Sequence, residues 1–222
     1  MENDINSQLN NSLQKHICDV VSGEKRFENI YQSLTRLILG SPDNLKKINI
    51  NGKSTFDFLV FRNGKRHIVG MHDELNSFVS YVKDAAENGS SKEMSFVLIG
   101  EPGNGKTFFV DYLSTLYRNF ISLPENNRFT FQFKNLNELG TYGQLNRIES
   151  QTFEDPMILA MNLFDSKEEN IEFVQKLGAT DKQIDKFYEN YRPLGACSDY
   201  IFQELKQHTD YNIDKLIENH ID

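Results

Sequence analysis

Apolar residues recur every three to four positions through most of the chain, and this spacing is typical of amphipathic helices. The first such stripe spans residues 1–23, and the second spans about 26–39. The later stripes predict helices at residues 70–87, 108–120, 166–178, 180–191, 197–208 and 212–220. Ser166 and Thr180 each precede a Glu or Gln by three positions, so both predict a capping box at a helix start.

Alternating and continuous apolar runs predict the strands. Residues 128–134 alternate phenylalanine with polar side chains, as in a strand that has one buried face. Residues 96–99 form a short continuous apolar run that is typical of a buried strand. Residues 56–69 are predicted to form a hairpin that turns at Asn63-Gly64, since this dipeptide accepts the positive φ angles of a tight turn.

The predicted strand at residues 96–99 leads directly into the sequence GEPGNGKT at residues 100–107. This sequence matches the phosphate-loop pattern G-x-x-x-x-G-K-[ST] at every fixed position, and a helical stripe follows it. A strand, a glycine-rich loop and a helix in this order predict an α/β domain. The predicted nucleotide-binding residues are Gly100, Glu101, Pro102, Gly103, Asn104, Gly105, Lys106, Thr107 and Phe108.

The residue types in this loop suit a nucleoside triphosphate. Gly100, Gly103 and Gly105 let the backbone bend and approach phosphate oxygens, so that its N–H groups form an anion-binding concavity. Lys106 is predicted to place its ammonium group on the β- and γ-phosphates, which makes it the first predicted catalytic residue. Thr107 is predicted to give its hydroxyl group to Mg²⁺, as the protein's metal ligand.

Nucleotide turnover also needs an acidic residue that holds or orients Mg²⁺, usually at the end of an apolar strand. Asp165 follows the apolar run at residues 157–164 and is the candidate for this second catalytic residue. Asn162 interrupts that run, and Ser166 rather than an acid follows it. The other interpretation is a plain helix or strand that ends at Asp165, with Ser166 capping the next helix.

Composition narrows the classes of partner. The chain has 222 residues, and its 24 Lys and Arg against 32 Asp and Glu give a net charge of −8. This balance argues against a general nucleic-acid or anionic membrane surface, because both need clustered positive charge. The N terminus shows neither a basic nor an apolar signal segment, and no run of 18 apolar residues exists. The sequence therefore predicts a cytoplasmic protein.

Metal-ligating side chains are scattered along the chain. Cys18 and Cys197 lie far apart, and the sequence contains no Cys-x-x-Cys pair. The five histidines stand at positions 16, 67, 72, 208 and 220. Each is interpreted as a surface or core-edge residue, so neither a zinc site nor a disulfide framework is predicted.

Four stretches of the chain together resemble one family. They are residues 69–86, residues 96–107, residues 153–159 and residues 192–222. In this order they are similar to the AAA+ domain at the N-terminal side of the PrkA-type serine protein kinases. The resemblance covers residues 65–222, whereas the two N-terminal helices match only loosely.

This resemblance implies a P-loop NTPase (AAA+) fold at residues 65–222, with a three-layer core around a parallel sheet. A helical arm and a hairpin linker at residues 1–64 would precede it. The resemblance also implies a cytoplasmic bacterial protein that binds ATP and Mg²⁺ and phosphorylates protein serines and itself. Residues 100–107 carry over as the ATP loop, and no other residue does. The expected partners are protein substrates and further copies of the chain in a ring, without nucleic acid or membrane.

The chain also departs from the family. Members are much longer, and in their layout the magnesium-acid strand and a kinase-like part follow the region matched by Asp222. On this layout residues 155–165 are not the magnesium strand, and the chain is expected to be truncated or to bind ATP without turnover. The His-Arg-Asp and Asp-Phe-Gly signatures of ordinary protein kinases are absent from the sequence.

Two alternatives therefore stay open. The first is a generic AAA+ ATPase of the remodelling or protease-associated kind, with Asp165 as its magnesium acid. The second is a nucleotide-dependent binding module that does not turn ATP over.

Overall fold

The computed structural model describes residues 12–63 and 67–222, and it is mostly helical. The helices are α1 (Ser12–Ser22), α2 (Ile30–Leu39), α3 (His72–Ala86), α4 (Lys106–Ile121), α5 (Pro156–Ala160), α6 (Lys167–Lys176), α7 (Asp181–Glu189), α8 (Ala196–His208) and α9 (Ile213–His220). The strands are β1 (Leu45–Ile50), β2 (Lys53–Phe58), β3 (Gln132–Lys134) and β4 (Arg147–Glu149). Across the ranges described, no helix is both long enough and apolar enough to cross a bilayer.

The helices predicted from apolar spacing are confirmed, because each contains a helix of the structure. The first 11 residues of the predicted N-terminal helix lie outside the described residues. The predicted cap of α7 is also confirmed, since Thr180 and Gln183 form a complete capping box. At the start of α6, the Ser166 half of the predicted capping box is present, since its side chain accepts a hydrogen bond from the backbone N–H of Glu169.

The described residues divide into two compact units. The larger unit comprises residues 12–27 and Glu125–Asp222, and the smaller unit comprises Glu28–Pro124 without residues 64–66. This division differs from the boundary between residues 64 and 65 that the sequence suggested. Each unit buries its own apolar cluster.

The larger unit is mostly helical, and the last two residues of the chain pair with β3. Its core draws on α1, α5, α8 and α9, and α5 is buried along its whole length. Ile221 pairs with Phe133 of β3 in an antiparallel bridge. Gln132 and Asp222 exchange two backbone hydrogen bonds of 2.8 and 3.0 Å. This pairing fixes the C-terminal end of α9 against β3.

The smaller unit contains a hairpin, but not the one predicted. β1 and β2 pair antiparallel around Asn51 and Gly52, whose φ angles are 52° and 83°. Both residues thus adopt the left-handed conformation that a two-residue hairpin turn requires. The predicted strands of the 56–69 hairpin are wrong, since β2 ends at Phe58, a 3₁₀ turn follows it, and residues 67–69 form no strand. Gly64 itself lies outside the described residues.

The predicted α/β fold is wrong. The described residues contain two sheets of two antiparallel strands each, so they provide no parallel three-layer core. Residues 96–99, predicted as a buried strand, form no strand. Val97 is 67% exposed and Ile99 is 92% exposed, while the Phe96 ring packs on Phe78 of α3. A central parallel strand needs hydrogen-bonded neighbours and cover on both faces, and here only one face of the segment is covered.

Candidate functional site

The loop at residues 100–107 lies on the surface of the smaller unit and runs into the first turn of α4. Most of the loop is exposed, and Gly105 and Lys106 are half-buried. One turn into α4, the Phe109 side chain is buried, with its ring centroid 5.1 Å from that of Phe78 on α3. The loop is therefore open to solvent while the helix behind it is anchored in the apolar cluster.

Two glycines give the loop its backbone conformation. Gly103 and Gly105 have φ angles of 87° and 76°, in the left-handed region that side chains disfavour. A Cβ atom at either position would meet nothing within 4 Å, so the backbone angle and not space explains the glycine. Gly100 has no such φ angle, and a Cβ there would lie 3.6 Å from the Asn104 side chain.

The Lys106 side chain folds back over the loop that precedes it. Its Nζ atom donates hydrogen bonds to the carbonyl oxygens of Gly100 at 2.6 Å and Glu101 at 2.8 Å. The ammonium group is thus held above the loop backbone, and its contact with phosphates stays a prediction. Thr107 and Phe108 follow in the first turn of α4, and both side chains are exposed.

The N terminus of α4 is open. Its N-cap residue is Gly105, which offers no side chain to the first N–H groups, and the first turn contains no acidic residue. The unbonded N–H groups and the positive end of the helix dipole therefore face solvent, as in helix termini that bind phosphate. Together with the Lys106 ammonium, they are the groups of this loop that favour a nearby anion.

The left-handed conformation at Gly105 can be tested by substitution. Gly105→Ala should lower the free energy of unfolding by about 1–2 kcal/mol, because an L-residue is strained at this φ angle. Gly100→Ala is the matched control and should change it by less than about 0.5 kcal/mol, since its Cβ makes only ordinary contacts. Urea unfolding followed by circular dichroism measures both. Equal effects of the two substitutions would contradict the loop conformation.

Asp165, the predicted magnesium acid, belongs to the larger unit, whereas Thr107 belongs to the smaller one. The apolar run before Asp165 forms α5 and its following turn, not a strand. The carboxylate lies 2.6 Å from the Nζ atom of Lys206, a side chain that is almost completely buried. Asp165, whose own side chain is 87% exposed, is therefore the ionic partner of a buried lysine, and its role toward magnesium stays a prediction.

The structure also brings together side chains that sequence reasoning kept apart. Glu138, His208 and His220 each place a potential metal-ligand atom within 4.8 Å of those of the other two. The histidines were interpreted separately because 11 residues stand between them and Glu138 is far upstream. Only the packing of three separate segments reveals the cluster.

Comparisons of the chain with family models, with characterised proteins and with solved structures give no match.

Proposed function

We propose that the chain binds ATP, as its magnesium complex, through residues 100–107. The observation that carries this proposal is the loop itself. A complete G-x-x-x-x-G-K-[ST] sequence turns through left-handed Gly103 and Gly105 into the uncapped helix α4, with Lys106 folded over the loop carbonyls. Glycine-rich turns without a ligand have no need for this combination.

The loop residues have distinct roles in this proposal. The first N–H groups of α4 donate hydrogen bonds to the phosphate oxygens, because no side chain caps them. The Lys106 ammonium now donates hydrogen bonds to the carbonyl oxygens of Gly100 and Glu101. When ATP binds, it donates to the β- and γ-phosphates instead. The exposed hydroxyl of Thr107 binds Mg²⁺. Phe108, exposed beside it, borders the nucleotide.

Binding of ATP raises the question of what happens to its γ-phosphate. The resemblance to PrkA-type kinases favours ATP as the nucleotide and transfer of its γ-phosphate to a protein serine. Hydrolysis by an ATPase and binding without turnover are the two alternatives, and each needs only the same loop. ATP as the ligand also favours the cytoplasm as the place of action.

Titration calorimetry with ATP, ADP and AMP in the presence of Mg²⁺ tests the proposal. ATP should bind the whole chain, and AMP should bind at least about tenfold more weakly, because it lacks the β- and γ-phosphates that Lys106 faces. ADP should fall between the two. Absence of ATP binding, or AMP binding as tightly as ATP, would overturn the assignment of the loop.

A further inference from the structure

Three metal-ligating side chains from distant parts of the chain meet on the larger unit. Glu138 lies in the 3₁₀ turn Leu136–Leu139, and His208 and His220 are the last residues of α8 and α9. One potential ligand atom of each lies within 4.8 Å of those of the other two. We propose that these side chains bind one divalent transition-metal ion of the zinc class.

His220 is the fixed member of the cluster. It is 2% exposed, and its position follows from the pairing of the next residue, Ile221, with Phe133. Its Nδ1 atom lies 3.1 Å from the carbonyl oxygen of Lys134, so the ring N–H donates to that acceptor. The lone pair of Nε2 is then available. Metal-bound histidines commonly donate their other ring N–H in this way, which fixes the tautomer and the ring orientation.

Glu138 and His208 form the open side of the cluster. The Oε2 atom of Glu138 lies 3.7 Å from the Nε2 atom of His208. Their side chains are 52% and 37% exposed, so an ion can reach the cluster from solvent. The rings of His208 and His220 are 5.6 Å apart between centroids and inclined at 79°.

The spacing of the ligand atoms suits a small metal ion after modest movement. Zinc binds histidine nitrogen and carboxylate oxygen at about 2.0–2.2 Å, which places tetrahedral ligand atoms about 3.3 Å apart. The exposed side chains of Glu138 and His208 can close the remaining distance by rotation while His220 stays in place. Three protein ligands leave a fourth position for water.

The chemical types of the three ligands indicate which class of metal ion the cluster would bind. Two imidazoles and one carboxylate suit zinc and its neighbours cobalt, nickel and copper, whereas magnesium and calcium prefer oxygen ligands alone. The net charge of −8 also favours the approach of a cation. Without a metal, the carboxylate of Glu138 and the imidazole of His208 would form only an exposed contact of 3.7 Å.

Metal titration of the whole chain, first stripped with a chelator, tests the proposal. One Zn²⁺ ion should bind each chain and raise the unfolding temperature, because the ion links three segments of the folded state. Co²⁺ should bind to the same site and give the visible absorption bands of a tetrahedral complex. Failure of either metal to bind stoichiometrically would overturn the proposal.

Two exposed ligands allow variants that keep the fold. His208→Ala should weaken Zn²⁺ binding by more than about a hundredfold, since even an outer-sphere partner is worth ten- to hundredfold. Glu138→Gln should weaken it by at least about tenfold on the same grounds. His67→Ala, at an exposed histidine of the smaller unit, is the matched control and should leave affinity unchanged. Unchanged affinity in either ligand variant would place the metal elsewhere and overturn the site.

Discussion

Replacing Lys106 with alanine should weaken ATP binding by about ten- to hundredfold while the helix content of the chain stays the same. A hydrogen bond from a charged group to a buried or partly desolvated acceptor is worth about 1.5–3 kcal/mol, which corresponds to that range in the dissociation constant. The substitution removes the ammonium group that now lies on the carbonyls of Gly100 and Glu101. The helix should survive, because the buried Phe109 anchors α4.

Lys83→Ala is the matched control for this experiment. Lys83 is an exposed lysine on α3 of the same unit, and its ionic partner is Glu87 at 3.8 Å. Its removal changes the net charge by the same amount, so it reports any general electrostatic effect on a nucleotide. Calorimetry should give the wild-type dissociation constant for Lys83→Ala. Equal weakening by the two substitutions, or none by Lys106→Ala in a folded chain, would contradict the proposed role of the loop.

Helix positions were predictable because their determinants are local. Ser166 and Thr180 stand at their helix starts with the bonded partner only three residues away, so the sequence pattern contains the whole interaction. The left-handed angles of Gly103 and Gly105 follow for the same reason, since they belong to one contiguous turn. Neither prediction depended on how distant segments pack.

The predicted parallel sheet was wrong because strand pairing, unlike helix capping, depends on distant segments. The run at residues 96–99 has the composition of a buried strand, but a strand also needs neighbours, and no sequence pattern supplies their positions. Among the described residues of the smaller unit, the paired strands are those of a local hairpin, and Val97 and Ile99 stay exposed. The hairpin prediction failed for a related reason, because Asn51-Gly52 and Asn63-Gly64 offer the same turn chemistry. Asn51-Gly52 is the pair that forms the hairpin turn, because β1 directly precedes it and pairs with β2.

The cluster of Glu138, His208 and His220 shows the same limit for sites. The phosphate loop is read from consecutive residues, whereas this cluster depends on a 3₁₀ turn and the ends of two helices. The pairing of Ile221 with Phe133 positions His220, and no local sequence pattern predicts that pairing. Sites built from single residues of separate segments therefore need the fold before they can be recognised.

Replacing Glu154 with alanine should lower the free energy of unfolding of the larger unit by about 3 kcal/mol. Glu154 is 1% exposed, and its carboxylate accepts hydrogen bonds from the hydroxyls of Ser150 at 2.7 Å and Ser198 at 2.6 Å. It also accepts one from the backbone N–H of Gly195 at 2.6 Å. Alanine leaves these buried donors without their acceptor, and each such group costs about 1–3 kcal/mol. Urea unfolding at neutral pH measures the loss.

Glu154→Gln separates the charge of this side chain from its hydrogen bonds. Glutamine keeps an oxygen for Gly195, and the hydroxyls of Ser150 and Ser198 can rotate to accept from its amide, so the loss should be smaller than with alanine. A loss as large for glutamine as for alanine would assign the stabilisation to the charge itself.

The pH dependence of stability gives the second measurement on Glu154. Burial raises the pKa of its carboxyl group, but the hydrogen bonds from Ser198, Gly195, Ser150 and Thr152 together outweigh burial and leave the pKa below its usual value of 4.5. A pKa lowered by folding means that the unfolded chain binds the proton more tightly, so the stabilisation is complete above pH 4.5 and is lost as the pH falls through the folded-state pKa. The wild-type chain should therefore lose more stability than Glu154→Gln over that acidic range. Parallel pH profiles for the two chains would show that the carboxylate is not stabilised by these donors, because only a titrating group that folding perturbs can separate the profiles.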